Sequence, residues 1–246
     1  MSKRHRIFEQ LVVEPGTKAA LEHRDPAWTG GPDFEGLAKD ELAAKAKAVL
    51  ARGVEALSHA QELLWASDTR ALLVIFQALD AAGKDSTIEH VMSGINPQGV
   101  QVVSFKQPSA EELDHDFLWR VARALPERGR IGIFNRSHYE EVIAVRVHPE
   151  WLEKQRLPSG QRGKKLWERR YEDALTATST PWAPWYVIPA DNKRVMRALV
   201  SRILVDTIGS LDLRWPEVSD EQREANAEAR RRLEAEPAVP GRRHTR

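Results

Sequence analysis

The stretch that decides the fold is Gln77-Ala-Leu-Asp-Ala-Ala-Gly-Lys-Asp-Ser86, which follows the apolar run Ala71–Phe76 and precedes a stretch of helical character. This order of elements is typical of a phosphate-binding loop: a strand, a tight turn of small residues, Gly-Lys and then a helix. The turn points backbone N–H groups inward, and the helix N-terminus adds positive potential. Lys84 brings a full charge to the same place. The segment therefore predicts phosphoryl chemistry.

The loop departs at two positions from the usual P-loop pattern, Gly-x-x-x-x-Gly-Lys followed by Ser or Thr. Ala78 stands at the first glycine position, and Asp85 stands where a hydroxyl normally binds Mg²⁺. Because Mg²⁺ prefers carboxylate oxygen and water, Asp80 inside the loop is the candidate metal ligand. The alternative interpretation of so degenerate a loop is a capped strand–helix turn with a solvated lysine.

Length and composition restrict the class of protein. The chain has 246 residues and is 41% hydrophobic, which suits one α/β domain with appendages. A formal net charge of +1 gives no support for nucleic-acid or membrane binding, and the lack of cysteine excludes disulfides and thiolate catalysis. There is no apolar run long enough to span a membrane and no signal-peptide core, so we expect a cytoplasmic protein.

Strand-like and helix-like segments alternate along the chain, which predicts an α/β fold with a parallel, doubly wound sheet. The predicted strands cover residues 71–76, 100–105, 131–134 and 186–188. Helices are predicted over 36–67, after the loop, from 109 and over 192–208. The apolar positions expected to face inward are Leu50, Val54, Leu57, Leu64, Ile88, Val91, Met92, Ile95, Leu113, Phe117, Val121, Val195, Leu199, Ile203 and Leu204.

The chain is predicted to have three regions. Residues 1–35 form an irregular N-terminal segment, residues 36–215 form the α/β domain, and residues 216–246 form a charged, flexible tail. Within that tail, the pattern of residues 219–236 fits either a helix or a solvated coil.

The second half of the site is predicted to follow the strand at 131–134. Ligands of open α/β sheets bind at the carboxyl ends of the strands, so Arg136 is expected beside the phosphate cradle. Its guanidinium would neutralise charge on a transferring phosphoryl group. The alternative interpretation of Arg136 is that it forms an ion pair that only stabilises the fold. Asn135 stands where many P-loop enzymes carry a metal-binding aspartate, and it offers a neutral oxygen.

Other polar residues near the predicted site are less easily assigned. Lys106 follows the second strand and is expected at a solvated surface position. Arg120 lies on the next helix, and its pattern fits phosphate binding and a surface position equally well. His138 stands next to Tyr139 and is expected to pack rather than to catalyse.

Several motifs in order resemble the polyphosphate kinase 2 family, in the polyphosphate:nucleotide phosphotransferase branch that carries Asn-Arg-Ser-His-Tyr. The resemblance runs from about residue 20 to residue 215. The segments that carry it are 77–85, 94–99, 112–120, 134–140 and 183–190.

The resemblance implies a P-loop kinase-like, three-layer fold with a short, mostly parallel sheet. It implies Mg²⁺-dependent phosphoryl transfer between inorganic polyphosphate and AMP or ADP, and a homo-oligomer. The catalytic residues implied are Asp80, Lys84, Asn135 and Arg136, with Asp80 as the metal ligand. The phosphate-binding residues implied are Ala81, Ala82, Gly83, Lys84, Asp85, Ser86 and Arg120.

The sequence departs from the family pattern in two places. Ser86 replaces a usual glycine, and the stretch 147–180 is short by several dozen residues. The missing residues include a buried strand and a basic two-helix lid. Without that strand, the strand at 71–76 is expected either to leave a gap beside it or to pair directly with 186–188. A lidless protein that binds polyphosphate or nucleotide without turnover is therefore the alternative, and an ATP-dependent small-molecule kinase is a third.

Overall fold

The computed structural model describes residues 8–30, 33–78, 82–140 and 161–235, without the side chains of 161–167 and 233. Asp80, Ala81 and the segment 141–160 lie outside the described residues. The chain divides into two compact units, Met1–Leu213 and Arg214–Arg246. The strands are β1 (Val12–Val13), β2 (Leu72–Phe76), β3 (Val100–Ser104), β4 (Ile131–Asn135) and β5 (Trp185–Tyr186). The helices are α1 (Lys39–Ser67), α2 (Lys84–Met92), α3 (Ala110–Leu113), α4 (Trp119–Arg123), α5 (Gln161–Thr178), α6 (Lys193–Gly209) and α7 (Asp220–Ala235).

The first unit is built on a three-stranded parallel sheet in the order β2–β4–β3. The register pairs Phe76 of β2 and Ser104 of β3 with Asn135 of β4. All three strands therefore end at the same edge of the sheet, and the loops that leave them lie side by side. The short parallel sheet predicted from the sequence is confirmed.

Helices cover both faces of this sheet because successive strand residues point to opposite faces. Ile131 and Ile133 of β4 are buried against Leu57 and Leu64 of α1, together with residues of α2 and α6. Phe134 faces the other way and packs with Val121 of α4. The result is the predicted three-layer arrangement.

The long helices bury the faces that their apolar spacing predicted. Leu57 and Leu64 of α1 are fully buried, and so are Val91 of α2 and Leu199 of α6. Gly53 of α1 allows α6 to approach closely, since a Cβ added there would lie 2.9 Å from the Cβ of Ser201.

The predicted fourth strand of the parallel sheet is wrong. Trp185–Tyr186 pairs antiparallel with Val12–Val13 in a separate two-stranded sheet, and Val187 N donates to Leu11 O at 2.8 Å. Among the described residues, β2 pairs only with β4, so direct pairing of β2 with the last strand is not observed. The N-terminal segment supplies the backbone partners that the last strand needs.

Two charged side chains hold the N-terminal segment, one from within the segment itself and one from α5. Arg24 donates from its guanidinium to the backbone oxygens of Ala19, Gln10, Leu11 and Val12 at 2.9–3.1 Å. Glu172 of α5 accepts from the N–H groups of Ala20 and Leu21, both at 2.8 Å. Leu11, Val13 and Phe34 are buried, so this segment contributes to the core.

The helix predicted from residue 109 is interrupted. Ser109 and Glu112 form the predicted capping box, but α3 ends at Leu113 and the Asp116 carboxylate then accepts from Leu118 N at 2.9 Å. This turn redirects the chain before α4 begins. Leu113 is 71% exposed and Phe117 is 49% exposed, so their predicted inward positions are wrong. Only Val121 of the predicted face reaches the sheet.

The second unit contains α7, whose described side chains are exposed. Arg230 donates to Glu234 at 2.8 Å and Arg232 donates to Glu228 at 3.1 Å, each one helical turn apart. Such pairs stabilise an exposed helix by about 0.2–0.5 kcal/mol each. Within the residues described in both units, no helix has both the length and the apolar composition needed to cross a membrane.

Replacing Gly53 by alanine tests the close approach of α1 and α6. We expect the added methyl group to push Ser201 and α6 outward and to lower the free energy of unfolding by about 1–3 kcal/mol. Chemical denaturation measures the change. Gly209→Ala is the matched control, because a Cβ there meets nothing within 4 Å. Equal stability of the two variants would contradict the packing described.

Candidate active site

The phosphate loop enters α2 through Gly83, which adopts φ = 90°. This left-handed conformation strains any residue with a Cβ, so glycine suits the position. The Gly83 carbonyl accepts from Thr87 N at 3.0 Å, Thr87 Oγ1 at 2.8 Å and Ser86 Oγ at 3.1 Å. These bonds fix the start of α2.

An open cleft of about 440 Å³ lies at the carboxyl ends of the strands. Three of its side chains are basic and one is acidic, which gives the cleft an excess of positive charge. The lining residues are Lys84, Asp85, Ser104, Phe105, Lys106, Gln107, Asn135 and Arg136. The structure thus brings four predicted site residues together: Lys84, Asp85, Asn135 and Arg136.

A charged and hydrogen-bonded network joins the two halves of the cleft. Asp85 Oδ1 accepts from Asn135 Nδ2 at 2.6 Å and lies 3.4 Å from Lys84 Nζ. The Asn135 hydrogen bond, and secondly the charge of Lys84, lower the pKa of Asp85 below its ordinary value. The carboxylate is therefore ionised when the cleft meets a ligand near neutral pH.

Arg136 occupies a strained position directly after β4. Its φ is 65°, a left-handed value that is uncommon for residues other than glycine and often occurs at functional sites. Its backbone N donates to Phe76 O at 3.0 Å, so the strained turn is anchored to the end of β2. Its guanidinium lies 3.6 Å from Glu140 Oε2 and lines the cleft.

Of the remaining residues singled out in the sequence, some line the cleft and others lie outside it. Lys106 is exposed, as expected, but it also lines the cleft. Arg120 is buried, donates to Lys106 O at 2.8 Å and lies outside the lining residues, so the structure makes it a support of the Lys106 loop. His138 packs against Tyr139 with ring centroids 4.5 Å apart. Asp80 and Ala81 lie outside the described residues.

Sequence reasoning missed a contact from α6 to the phosphate loop. Arg197 donates to Ser86 Oγ at 3.2 Å. The side chains of Met196 and Lys193 approach to 3.4 and 3.6 Å the point where a Cβ of Gly83 would lie. The four-residue spacing of Lys193 and Arg197 puts both on one face of α6, and this spacing is the signal that could have identified them.

Oxygen atoms are available in the cleft for a metal ion. The Oδ1 atom of Asn135 is buried and has no hydrogen-bond partner among the described residues, and the Asp85 carboxylate that accepts from the Asn135 amide nitrogen is exposed. The described residues contain no group of three or more His, Asp or Glu side chains arranged to hold a metal. A metal here would take few protein ligands and keep water, as Mg²⁺ prefers.

A family model described as polyphosphate kinase 2 matches residues 40–157 and 157–214. This chain belongs to the polyphosphate kinase 2 family. The two matched segments meet at residue 157, inside the stretch in which the sequence predicts missing residues.

Two relatives cover most of the chain. An ADP-polyphosphate phosphotransferase of Rhodopseudomonas palustris is 40% identical over an alignment of length 245, gaps included, which covers 73% of this chain and 85% of that protein. An AMP/ADP-polyphosphate phosphotransferase of Meiothermus ruber is 36% identical over an alignment of length 263, gaps included, which covers 85% of this chain and 96% of that protein. The second alignment is longer than the 246 residues of this chain, so that kinase contains positions without a counterpart here.

The fold agrees with a solved member of the family. The crystal structure of polyphosphate kinase 2 from Arthrobacter aurescens TC1 superposes with a TM-score of 0.74 at 31% sequence identity. The match covers 89% of this chain and 96% of that chain. The P-loop kinase-like fold that the resemblance implied is confirmed.

Replacing Asn135 by alanine tests the network around Asp85. We expect the pKa of Asp85 to rise towards its ordinary value, because the hydrogen bond that favours the ionised form is lost. In the wild type, the lowered pKa of Asp85 stabilises the folded protein when the pH is above the pKa that Asp85 has in the unfolded chain. This stabilisation is lost as the pH falls through the pKa that Asp85 has in the folded protein. Titration of the Asp85 carboxyl ¹³C signal measures the shift, and Asn96→Ala, which removes a cap elsewhere, serves as the control. An unchanged titration would contradict the network.

Proposed function

We propose that this chain transfers phosphoryl groups between inorganic polyphosphate and AMP or ADP. The observation that carries the proposal is the convergence of Lys84, Lys106 and Arg136 on one cleft at the carboxyl ends of parallel strands. A polyanion requires several positive charges that a rigid sheet holds in register. The names of the Rhodopseudomonas and Meiothermus relatives support the choice of polyphosphate and of adenine nucleotides.

The chemistry requires positioning and charge stabilisation rather than a covalent enzyme intermediate. A phosphate oxygen of AMP or ADP attacks the terminal phosphorus of polyphosphate, and the bond from that phosphorus to the chain breaks, so polyphosphate leaves one unit shorter. Lys84 and the amides of the loop hold phosphate oxygens, and Arg136 stabilises the charge on the transferring group. Net flux in the opposite direction uses the same contacts.

We propose Mg²⁺ as the cofactor, with Asp80 as its carboxylate ligand and Asn135 Oδ1 as a neutral ligand. The support for this fit is the Asn135 Oδ1 atom, which is buried and has no hydrogen-bond partner among the described residues. When bound, Mg²⁺ neutralises phosphate charge. Asp85 orients Asn135 by accepting from its amide nitrogen, which directs the Oδ1 atom away from the carboxylate.

The short stretch between residues 147 and 180 favours a second candidate, a protein that binds polyphosphate or nucleotide without turnover. The family match divides at residue 157, and the Meiothermus alignment exceeds the length of this chain. A missing lid would remove water exclusion from the cleft and charges that position the donor. Arg169 on α5 is exposed, whereas Arg170 lies 3.5 Å from Asp173, so few described cations on α5 could replace a lid.

We also propose a homo-oligomer, on the basis of family membership, and a cytoplasmic location, on the basis of composition. Sedimentation velocity of the full chain measures the oligomeric state.

Turnover separates the two candidate functions. Purified protein with Mg²⁺, AMP and polyphosphate is expected to produce ADP and then ATP. We expect Lys84→Ala and Asp80→Asn each to lower the rate by about 100-fold or more, because the first removes a positive charge from the phosphate cradle and the second removes the proposed carboxylate ligand of Mg²⁺. Nucleotide chromatography measures the products.

The control is Lys47→Ala, which removes an exposed lysine of α1. Binding of polyphosphate without any product would favour the second candidate. Transfer from ATP but not from polyphosphate would instead indicate a small-molecule kinase.

Replacing Arg136 by alanine tests its role in charge stabilisation. We expect kcat to fall by about 10²–10³-fold, with a smaller change in KM, because the charge develops during transfer. Steady-state kinetics measure both constants. Arg128→Ala removes an exposed arginine from the loop before β4 and is the control. A fall in stability with unchanged kcat would mean that Arg136 only forms structural ion pairs.

A further inference from the structure

We propose that Arg197 is a positioning residue of the phosphate loop, acting through Ser86 and Gly83 on the backbone amide of Lys84. The inference rests on the proposed function, because it assigns that amide to phosphate binding. Arg197 lies on α6, outside the residues that line the cleft. It reaches the loop from behind, through a chain of hydrogen bonds.

The hydrogen bonds run in one direction. Arg197 has no acceptor atom, so its guanidinium donates to Ser86 Oγ at 3.2 Å. The Ser86 hydroxyl is then directed to donate to Gly83 O at 3.1 Å. The guanidinium therefore selects the rotamer of the hydroxyl and strengthens its bond to the carbonyl.

The Gly83 carbonyl controls the amide that would meet a phosphate. Gly83 C=O and Lys84 N–H belong to one planar trans peptide, so the two groups point in opposite directions. The three donors at Gly83 O, two from Thr87 and one from Ser86, hold the carbonyl towards α2. The Lys84 N–H is one of the first amides of α2, which have no acceptor within the helix and point out of its N-terminus.

A second observation indicates that Arg197 does more than stabilise the fold. Its Nε atom is buried and has no hydrogen-bond partner within the part of the chain that the structure describes. An unsatisfied buried donor lowers stability, so the stability of the fold alone does not account for its position. Met196 of α6 also lies near Gly83, since its Cε atom is 3.4 Å from the point where a Cβ of Gly83 would lie. The same helix therefore lines the glycine that holds a left-handed conformation.

The test uses tripolyphosphate as the ligand and the full chain in four variants: Arg197→Met, Arg197→Lys, Ser86→Ala and the double variant S86A/R197M. Calorimetry gives the dissociation constant, and the ¹⁵N–¹H signal of Lys84 reports the amide directly. We expect Arg197→Met and Ser86→Ala each to weaken tripolyphosphate binding on the order of tenfold and to reduce the shift of the Lys84 signal on binding. The double variant should be no weaker than either single variant, because both break one chain of bonds. Arg197→Lys should restore part of the loss.

Arg194→Met is the matched control, since it removes an exposed arginine from the same turn of α6. Additive losses in the double variant would overturn the proposal, and so would single variants that bind as the wild type does with an unchanged Lys84 signal. If Arg197→Met fails to fold, Ser86→Ala still carries the test. Wild-type binding without phosphoryl transfer would refute the proposed function but leave the positioning role measurable. A wild type that does not bind tripolyphosphate would refute both.

Discussion

The parallel pairing of β2 with β4 is the constraint on which the rest of the structure depends. Its register places Phe76 opposite Asn135, and the bond from Arg136 N to Phe76 O extends the pairing beyond the strands. The alternation that buries Ile133 on one face and Phe134 on the other forbids a slip by one residue, because a slip would exchange the faces. The same register therefore makes the core and brings the two loops of the cleft together.

The cleft carries an excess of positive charge, and one carboxylate, that of Asp85, is shared by two of its side chains. Asp85 Oδ1 holds both Asn135 and Lys84, yet the Asp85 side chain is 81% exposed, whereas that of Lys84 is 10% exposed. Because the Asp85 carboxylate is largely exposed, water can solvate it when a phosphate group replaces it as the partner of Lys84. Asn135, which lies in a more buried position at the strand end, stays oriented by the same carboxylate. The network thus prepares the cleft for an anion without leaving a buried charge unpaired.

The N-terminal segment supplies the backbone partners of the last strand. The last strand has no neighbour in the parallel sheet among the described residues, and unpaired backbone groups in a core are costly. Val12–Val13 supplies that pairing. Arg24 links backbone atoms within the segment, and Glu172 of α5 bonds the backbone of the segment to the domain.

The sequence by itself determined the long helices and their buried faces, the three parallel strands, the family, and Lys84, Asn135 and Arg136 as neighbours in one cleft. The helices and strands follow from local periodicity, and the shared cleft follows from the rule that parallel strands end at one edge. The family follows from the resemblance of several motifs in order along the chain. Only the tertiary structure decided that Trp185–Tyr186 pairs with the N-terminal segment and that Arg197 reaches the phosphate loop. Both are contacts between residues that are distant in the chain. A local sequence pattern indicates whether a residue is apolar or charged, but it does not identify the residue that it contacts in the folded protein.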